Sequence, residues 1–335
     1  MDNKVYDKIK KFIKNYYKFI IEIALLVFLF NYEMDYEIYT YGKPIEISNR
    51  IEVENAYSSE GGFYLTYVQA RPGLIPFVLL SQIIPSWDLV SLDENRIENE
   101  SSEEILKRGK IDLETVNEYA IKNAFEEAGI PYKEENLNIT VYYIFENADT
   151  NLEVGDIIKT IDGKAVKTSD ELIETIKNKN IGDKVFFEII RDNKTMDAYG
   201  VVQRVEEENI IGMYLVPTLK IVPTIKVKFN YNSNESGPSG GLMSTLEIYN
   251  QLTENDITKG KKIAGTGTIK YDGEVGGIGG VKYKLQGAVK DKADVFIVPS
   301  ENYEEAKKLK KENNYDIKLI EAINFKQVLE ELENL

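Results

Sequence analysis

Gly237-Pro238-Ser239-Gly240-Gly241 sets a serine among small, turn-forming residues in the spacing G-x-S-x-G. In nucleophile elbows that spacing exposes a hydroxyl for attack on a carbonyl. The chain of 335 residues contains no histidine and no cysteine. A Ser-His-Asp triad, a thiol nucleophile, a disulfide framework and a His- or Cys-ligated metal are therefore excluded. A histidine-dependent α/β-hydrolase is excluded with them. The natural substitute base is a lysine, whose ammonium releases its proton readily once desolvated. Ser-Lys pairing is a recognised variant of the triad logic. Its S-x-x-K form is absent, because no serine has a lysine three residues later. The lysine has to come from a distant segment.

The residues after Ser239 follow a helical pattern, with Leu242, Leu246 and Tyr249 at i, i+4 and i+7 in a helix expected over about 240–252. A serine at the mouth of that helix meets free backbone N–H groups and the positive end of the dipole. Those groups are suitable donors for the anionic oxygen of a tetrahedral intermediate. The flanking glycines, Gly237 and Gly240, let a substrate backbone approach closely. Serine is equally a favoured N-cap, and Gly-Pro-Ser-Gly is ordinary turn chemistry. These residues alone fit a structural cap as well as a nucleophile.

GPSGGLM…LT, GTGTI, DGEVGGIGGVKYKLQGA and VFIVPSEN occur in that order from Gly237 to Asn302. Together they resemble the proteolytic domain of Lon peptidases. The family's G-P-S-A-G motif implies Ser239 as nucleophile, supported by Gly237, Pro238 and Gly240. Its G-G-[LIV]-x-x-K motif implies Lys284 as general base, and its threonine close to the lysine implies Thr266. Two positions depart from the pattern: Gly240 replaces alanine, and Ser236 stands where cytoplasmic Lon has an aspartate. On a helical wheel Val281, Leu285 and Ala288 define the buried side, and periodicity alone does not choose between Lys282 and Lys284.

The elements that would position these residues form an α+β chain. Residues 205–335 alternate strand and helix and are expected as the Lon-type unit. Residues 139–204 resemble a PDZ domain of the bacterial type. The run L-x-x-GD-x-I-x-x-IDG-x-x-V spans Leu152 to Val166, with a hairpin turn at Asp162-Gly163 and a helix capped by Ser169. PDZ domains bind extended peptide as an added strand. Residues 33–138 read as a connecting region. It has a strand at Phe63–Ala70, an apolar core-packing connector around Pro72, Pro76 and Pro85, and a helix from Ser101 to about Ala128.

Residues 1–15 carry Lys4, Lys8, Lys10, Lys11 and Lys14, and Lys18 follows; residues 16–32 are largely apolar, with acids from Glu33 onward. Lysines before and acids after an apolar run predict a cytoplasmic tail, a transmembrane anchor over 16–32 and an extracytoplasmic remainder. Glu22 within the run is a cost on insertion scales. The net charge of -15 argues against nucleic-acid binding. No G-x-x-x-x-G-K-[ST] is present, so no nucleotide, cofactor or metal is expected. The architecture resembles the PDZ-containing, membrane-bound Lon-like serine proteases of Gram-positive bacteria. That resemblance implies ATP-independent cleavage of protein or peptide substrates outside the membrane and allows a homo-oligomer, since Lon-type domains often assemble into rings. The competing reading is a membrane-tethered binding module whose Lon-like unit is inactive.

Overall fold

The computed structural model describes residues 3–92 and 100–335. The elements begin with α1 (Asn3–Asn31), β1 (Glu33–Tyr41), β2 (Ile45–Glu46), β3 (Ile51–Val53), β4 (Gly62–Leu65), β5 (Val68–Leu74), α2 (Ile75–Ser81) and β6 (Asp88–Ser91). Then come α3 (Ser102–Glu127), β7 (Tyr132–Ile144), β8 (Ile157–Ile161), β9 (Lys164–Ala165), α4 (Ser169–Lys177), β10 (Lys184–Arg191), β11 (Lys194–Val201), β12 (Gln203–Val205), β13 (Glu208–Ile210) and β14 (Met213–Pro223). The chain ends with β15 (Val227–Phe229), α5 (Gly241–Leu252), β16 (Lys262–Gly265), α6 (Val281–Lys290), β17 (Val295–Pro299), α7 (Ser300–Glu312), β18 (Lys318–Ala322) and α8 (Phe325–Glu333). Two compact units result, one of Met1–Gly42 with Val68–Ile97, the other of Lys43–Tyr67 with Glu98–Leu335.

In the first unit β1 lies between β5 and β6 in an antiparallel sheet, with Ile38 fully buried. The expected core-packing connector is instead the short helix α2, which buries none of its residues and leaves Leu79 and Leu80 exposed, as is Ile83 just after it. Its prolines break the segment too often for a long element.

The expected tail and anchor form one helix, α1, with Met1 and Asp2 outside the described residues. Among the described residues no helix is long and apolar enough to cross a membrane. The transmembrane anchor over 16–32 is therefore corrected. Lys18 and Glu22 interrupt the run, and the charge-free stretch Ile23–Tyr32 covers about 15 Å of helix against a hydrocarbon core of about 30 Å.

In the second unit the sheet order β11-β10-β8-β7-β14 forms one antiparallel layer, with β9 beside β8. Alternation in β10 turns Val185, Phe187 and Ile189 inward against Ile139, Val141, Ile158, Leu172 and Ile176. Asp162 and Gly163 both have positive φ, 48° and 74°, as a two-residue hairpin turn requires. Thr168, one residue before the expected cap, closes α4 through its hydroxyl. This sheet continues past residue 204. β14 pairs with β7 along Met213–Pro223, because its apolar alternation fits that edge after the β12–β13 hairpin.

The C-terminal sheet has the order β18-β17-β16-β4-β2, with β4, β16, β17 and β18 parallel. Its two faces are both covered, as parallel sheets require. Ile263, Val295 and Ile297 face a core shared with α3, α5 and α8; Ala264, Phe296 and Val298 face α6 and α7. The layer does not begin at residue 205. β4, from the connecting region, lies beside β16 with Phe63 fully buried, and α3 packs on α5.

Candidate active site

The turn that holds Ser239 is anchored on both sides. Gly237 has φ 91°, open to glycine, and its N–H donates to the Gly109 carbonyl at 2.7 Å. Gly241 N–H donates to Pro238 O at 3.1 Å, and Gly240 is the N-cap of α5. A methyl at Gly240, where the related motif has alanine, would come within 3.2 Å of the Leu65 side chain, which would have to give by a few tenths of an ångström. Ser239 is half-buried. The Ser239 and Gly240 N–H groups take no part in the main-chain hydrogen bonds of this turn, whereas those of Gly237, Gly241, Leu242 and Ser244 do.

Lys284 lies in the first turn of α6, where its own N–H bonds the Gly280 carbonyl at 3.2 Å. Its side chain runs inward, and the residue is only 4% exposed. The Lys284 amine donates to Thr266 Oγ1 at 3.1 Å, and that hydroxyl donates to Ser239 O at 3.0 Å. Ser239 O also accepts from Gly267 N–H at 2.8 Å. Thr266 is fully buried and is tied to β17 through Ile297 O at 3.1 Å. Burial alone pushes the Lys284 ammonium down to about 8, with no carboxylate contributing. Desolvation disfavours the charged form, which is the state a general base must leave.

The structure thus gathers Ser239, Thr266, Lys284, Gly237, Pro238 and Gly240 into one site. Of the two lysines that periodicity left open, Lys284 is buried, whereas the Lys282 amine lies 5.5 Å from the Tyr283 ring centroid and is partly exposed. The link from Lys284 reaches the serine through Thr266 and the serine's main-chain oxygen. The two side chains make no direct hydrogen bond. Among the described residues no cluster of three or more acidic side chains could hold a metal.

Several supports come from residues to which the sequence motifs assign no role. Thr66, fully buried after β4, donates through its hydroxyl to Gly265 O at 2.9 Å. Asn302 bonds both polar groups of Ile278, accepting from its N–H at 2.8 Å and donating to its carbonyl at 3.0 Å. Glu301 accepts from Gly277 N–H at 3.2 Å. These two hold the glycine loop that leads into α6. Asn302 stands inside VFIVPSEN, so its place in a motif was a signal; Thr66 has none in its own segment. A cleft of about 1150 Å³ runs between the β7–β8–β14 layer and α3, lined by Glu118, Thr140, Asp156, Thr218 and Tyr231, and it reaches Glu235, in the loop leading to Ser239.

Comparison with known proteins places two matches on this frame. The PDZ domain family matches residues 128–199, and the Lon protease (S16) C-terminal proteolytic domain family matches residues 232–334. Among solved structures, the PDZ domain of the SdrC-like protein from Listeria monocytogenes is 30% identical, covering 23% of this chain and 86% of that one, with a TM-score of 0.22. The corresponding PDZ domain from Listeria innocua is 28% identical, covering 23% and 92%, with a TM-score of 0.22. A Geobacillus thermodenitrificans protein is 30% identical, covering 21% and 84%, with a TM-score of 0.20. No curated protein matches the chain. With the two family matches in the same order as the two layered parts, the chain carries a PDZ domain followed by a Lon-type (S16) proteolytic domain, which supports a PDZ-containing Lon-like protease.

Proposed function

We propose that the chain is an ATP-independent serine endopeptidase working through a Ser239–Lys284 dyad. Neutral Lys284 takes the proton of Ser239 Oγ as that oxygen attacks a peptide carbonyl. The free N–H groups of Ser239 and Gly240 receive the oxyanion. Lys284 then passes its proton to the leaving amine, and the C–N bond breaks to leave an ester on Ser239. The same amine deprotonates water, the hydroxide displaces Ser239 Oγ from the acyl carbon, and the Lys284 ammonium returns the proton to Ser239 Oγ. Thr266 keeps the amine aimed at the serine turn throughout.

The observation that carries this reading is the buried Lys284 amine joined to the Ser239 turn through one threonine hydroxyl. The Lys284 ammonium is brought near ambient pH without a counter-charge, as a lysine base requires. The other layer supports substrate engagement: β14 is an edge strand that α3 covers near Ile221, whose N–H donates to Glu118 at 2.7 Å, and an extended peptide can add to the part near α4. The cleft beside α3 supports a path from there toward Ser239.

Ser239→Ala and Lys284→Ala are each expected to abolish cleavage of an unfolded polypeptide while leaving the circular dichroism spectrum unchanged. A fluorophosphonate should label the wild-type chain and not Ser239→Ala. Retained cleavage in either variant removes the dyad.

A further inference from the structure

Gly109 lies in the interior of α3, a poor place for glycine in a helix. Its carbonyl accepts the Gly237 N–H at 2.7 Å. A Cβ added there would meet Ser236 Cβ at 3.1 Å and Ser236 Oγ at 3.2 Å, with Gly237 N next at 3.5 Å. The helix therefore touches the main chain that turns into Ser239, at a distance where any side chain would make Ser236 give way.

The same helical turn is braced against the peptide-binding layer. Arg108 forms a two-pronged pair with Glu100, at 2.8 and 2.7 Å, and its guanidinium lies 5.7 Å from the Tyr142 ring centroid. Tyr142, on β7, donates through its hydroxyl to Asp112 at 3.0 Å. Lys107 pairs with Glu153, which precedes β8, at 3.2 Å. Glu100 is 4% exposed, so its pairing with Arg108 holds this stretch in place.

We propose that residues 107–112 of α3 form a bracket between the β7–β8 layer and the nucleophile turn, with Gly109 as the positioning residue for Ser239. This inference rests on the peptidase reading above. Gly109 touches no reacting atom; it acts through Gly237 and Ser236.

A methyl at residue 109 must push the turn by a few tenths of an ångström. A misplacement of about 1 Å costs on the order of a hundredfold in rate. The shift here corresponds to roughly a 3- to 10-fold loss. Gly109→Ala in the full chain should lower kcat and the rate of fluorophosphonate labelling by that factor, with KM for a quenched-fluorescence peptide within about twofold. The unfolding midpoint should stay level or rise, because alanine favours the helix. Adding Ser236→Gly removes both close contacts, so the double variant should return to the activity of Ser236→Gly alone, a coupling a merely structural role does not produce.

Unaltered kcat in Gly109→Ala, or no recovery in the double variant, overturns the bracket while the dyad stands. A wild-type chain without Ser239-dependent cleavage or labelling defeats the peptidase reading, and the bracket falls with it.

Discussion

In the proposed dyad the Lys284 amine sets the pH dependence of the reaction. Its ammonium is pushed from 10.5 down to about 8 by burial. At pH 7 roughly a tenth of the chains then hold it neutral, against about one in three thousand for an unperturbed lysine. Burial thus multiplies the competent fraction by about 300. The logarithm of kcat/KM should climb with unit slope below pH 8 and flatten above it, rising about tenfold between pH 7 and 9. The same burial is a stability cost. Below pH 8 both folded and unfolded chains hold the proton, and the folded state bears the full penalty. From pH 8 to 10.5 only the unfolded chain binds the proton, so stability rises with pH across that window, by about 3 kcal/mol at most. Lys284→Met keeps the volume and removes the charge, while leaving Thr266 Oγ1 without a donor at a cost of about 1 kcal/mol. The variant should be inactive yet about 2 kcal/mol more stable at pH 7 by urea denaturation, with the advantage lost toward pH 10.5. A rate profile flat from pH 6 to 9.5, or a midpoint left near 10.5, would refute the reasoning. A Lys284→Met chain less stable than wild type at pH 7 would do the same.

Thr266→Val keeps the shape of the side chain but removes the acceptor for Lys284 and one of the donors to Ser239 O. It should lower kcat by about 10- to 100-fold with little change in KM, because orientation and not binding is lost; an unchanged kcat in steady-state assay removes its role. Glu247, buried in α5 and bonded to Gln251 Nε2 at 2.6 Å, has its carboxyl pushed up to about 7 by burial. The folded state holds this proton between the ordinary carboxylate value of 4.5 and about 7, so the group favours folding at low pH, and that contribution is lost as pH rises through 7. Glu247→Gln should therefore match wild type near pH 4.5 and exceed it by up to about 3 kcal/mol at pH 8, read by urea denaturation; equal stabilities at pH 8 would show that the carboxylate is not desolvated.

The local elements around the site were legible in the residues. The periodicity after Ser239 placed α5 within a residue of its observed start, and Ser101 with Glu104 forms the capping box that opens α3. The Asp162-Gly163 turn likewise has the backbone that its residue types predict. Periodicity did not choose between Lys282 and Lys284; only the resemblance of the glycine motif pointed to Lys284. Both flank the apolar stripe of α6, and which one is buried depends on β16 and Thr266, which no helical wheel contains. The apolar stretch over 16–32 misled for a related reason: its composition is that of a span, but its charge-free length is not.

Residue types and spacing by themselves determined the chemistry open to this chain: a serine in a glycine turn at a helix start, no histidine, and a lysine as the base that remains. They also determined the two layered parts and their order, because capping, turns and hydrophobic alternation act over a few residues. Tertiary structure alone decided that β4 lies beside β16 and that Gly109 of α3 touches the Ser239 turn. Those contacts join segments that are far apart in the chain. Their energies come from burial and complementary shape once the core has closed, and neither leaves a mark on the neighbouring residues of either segment.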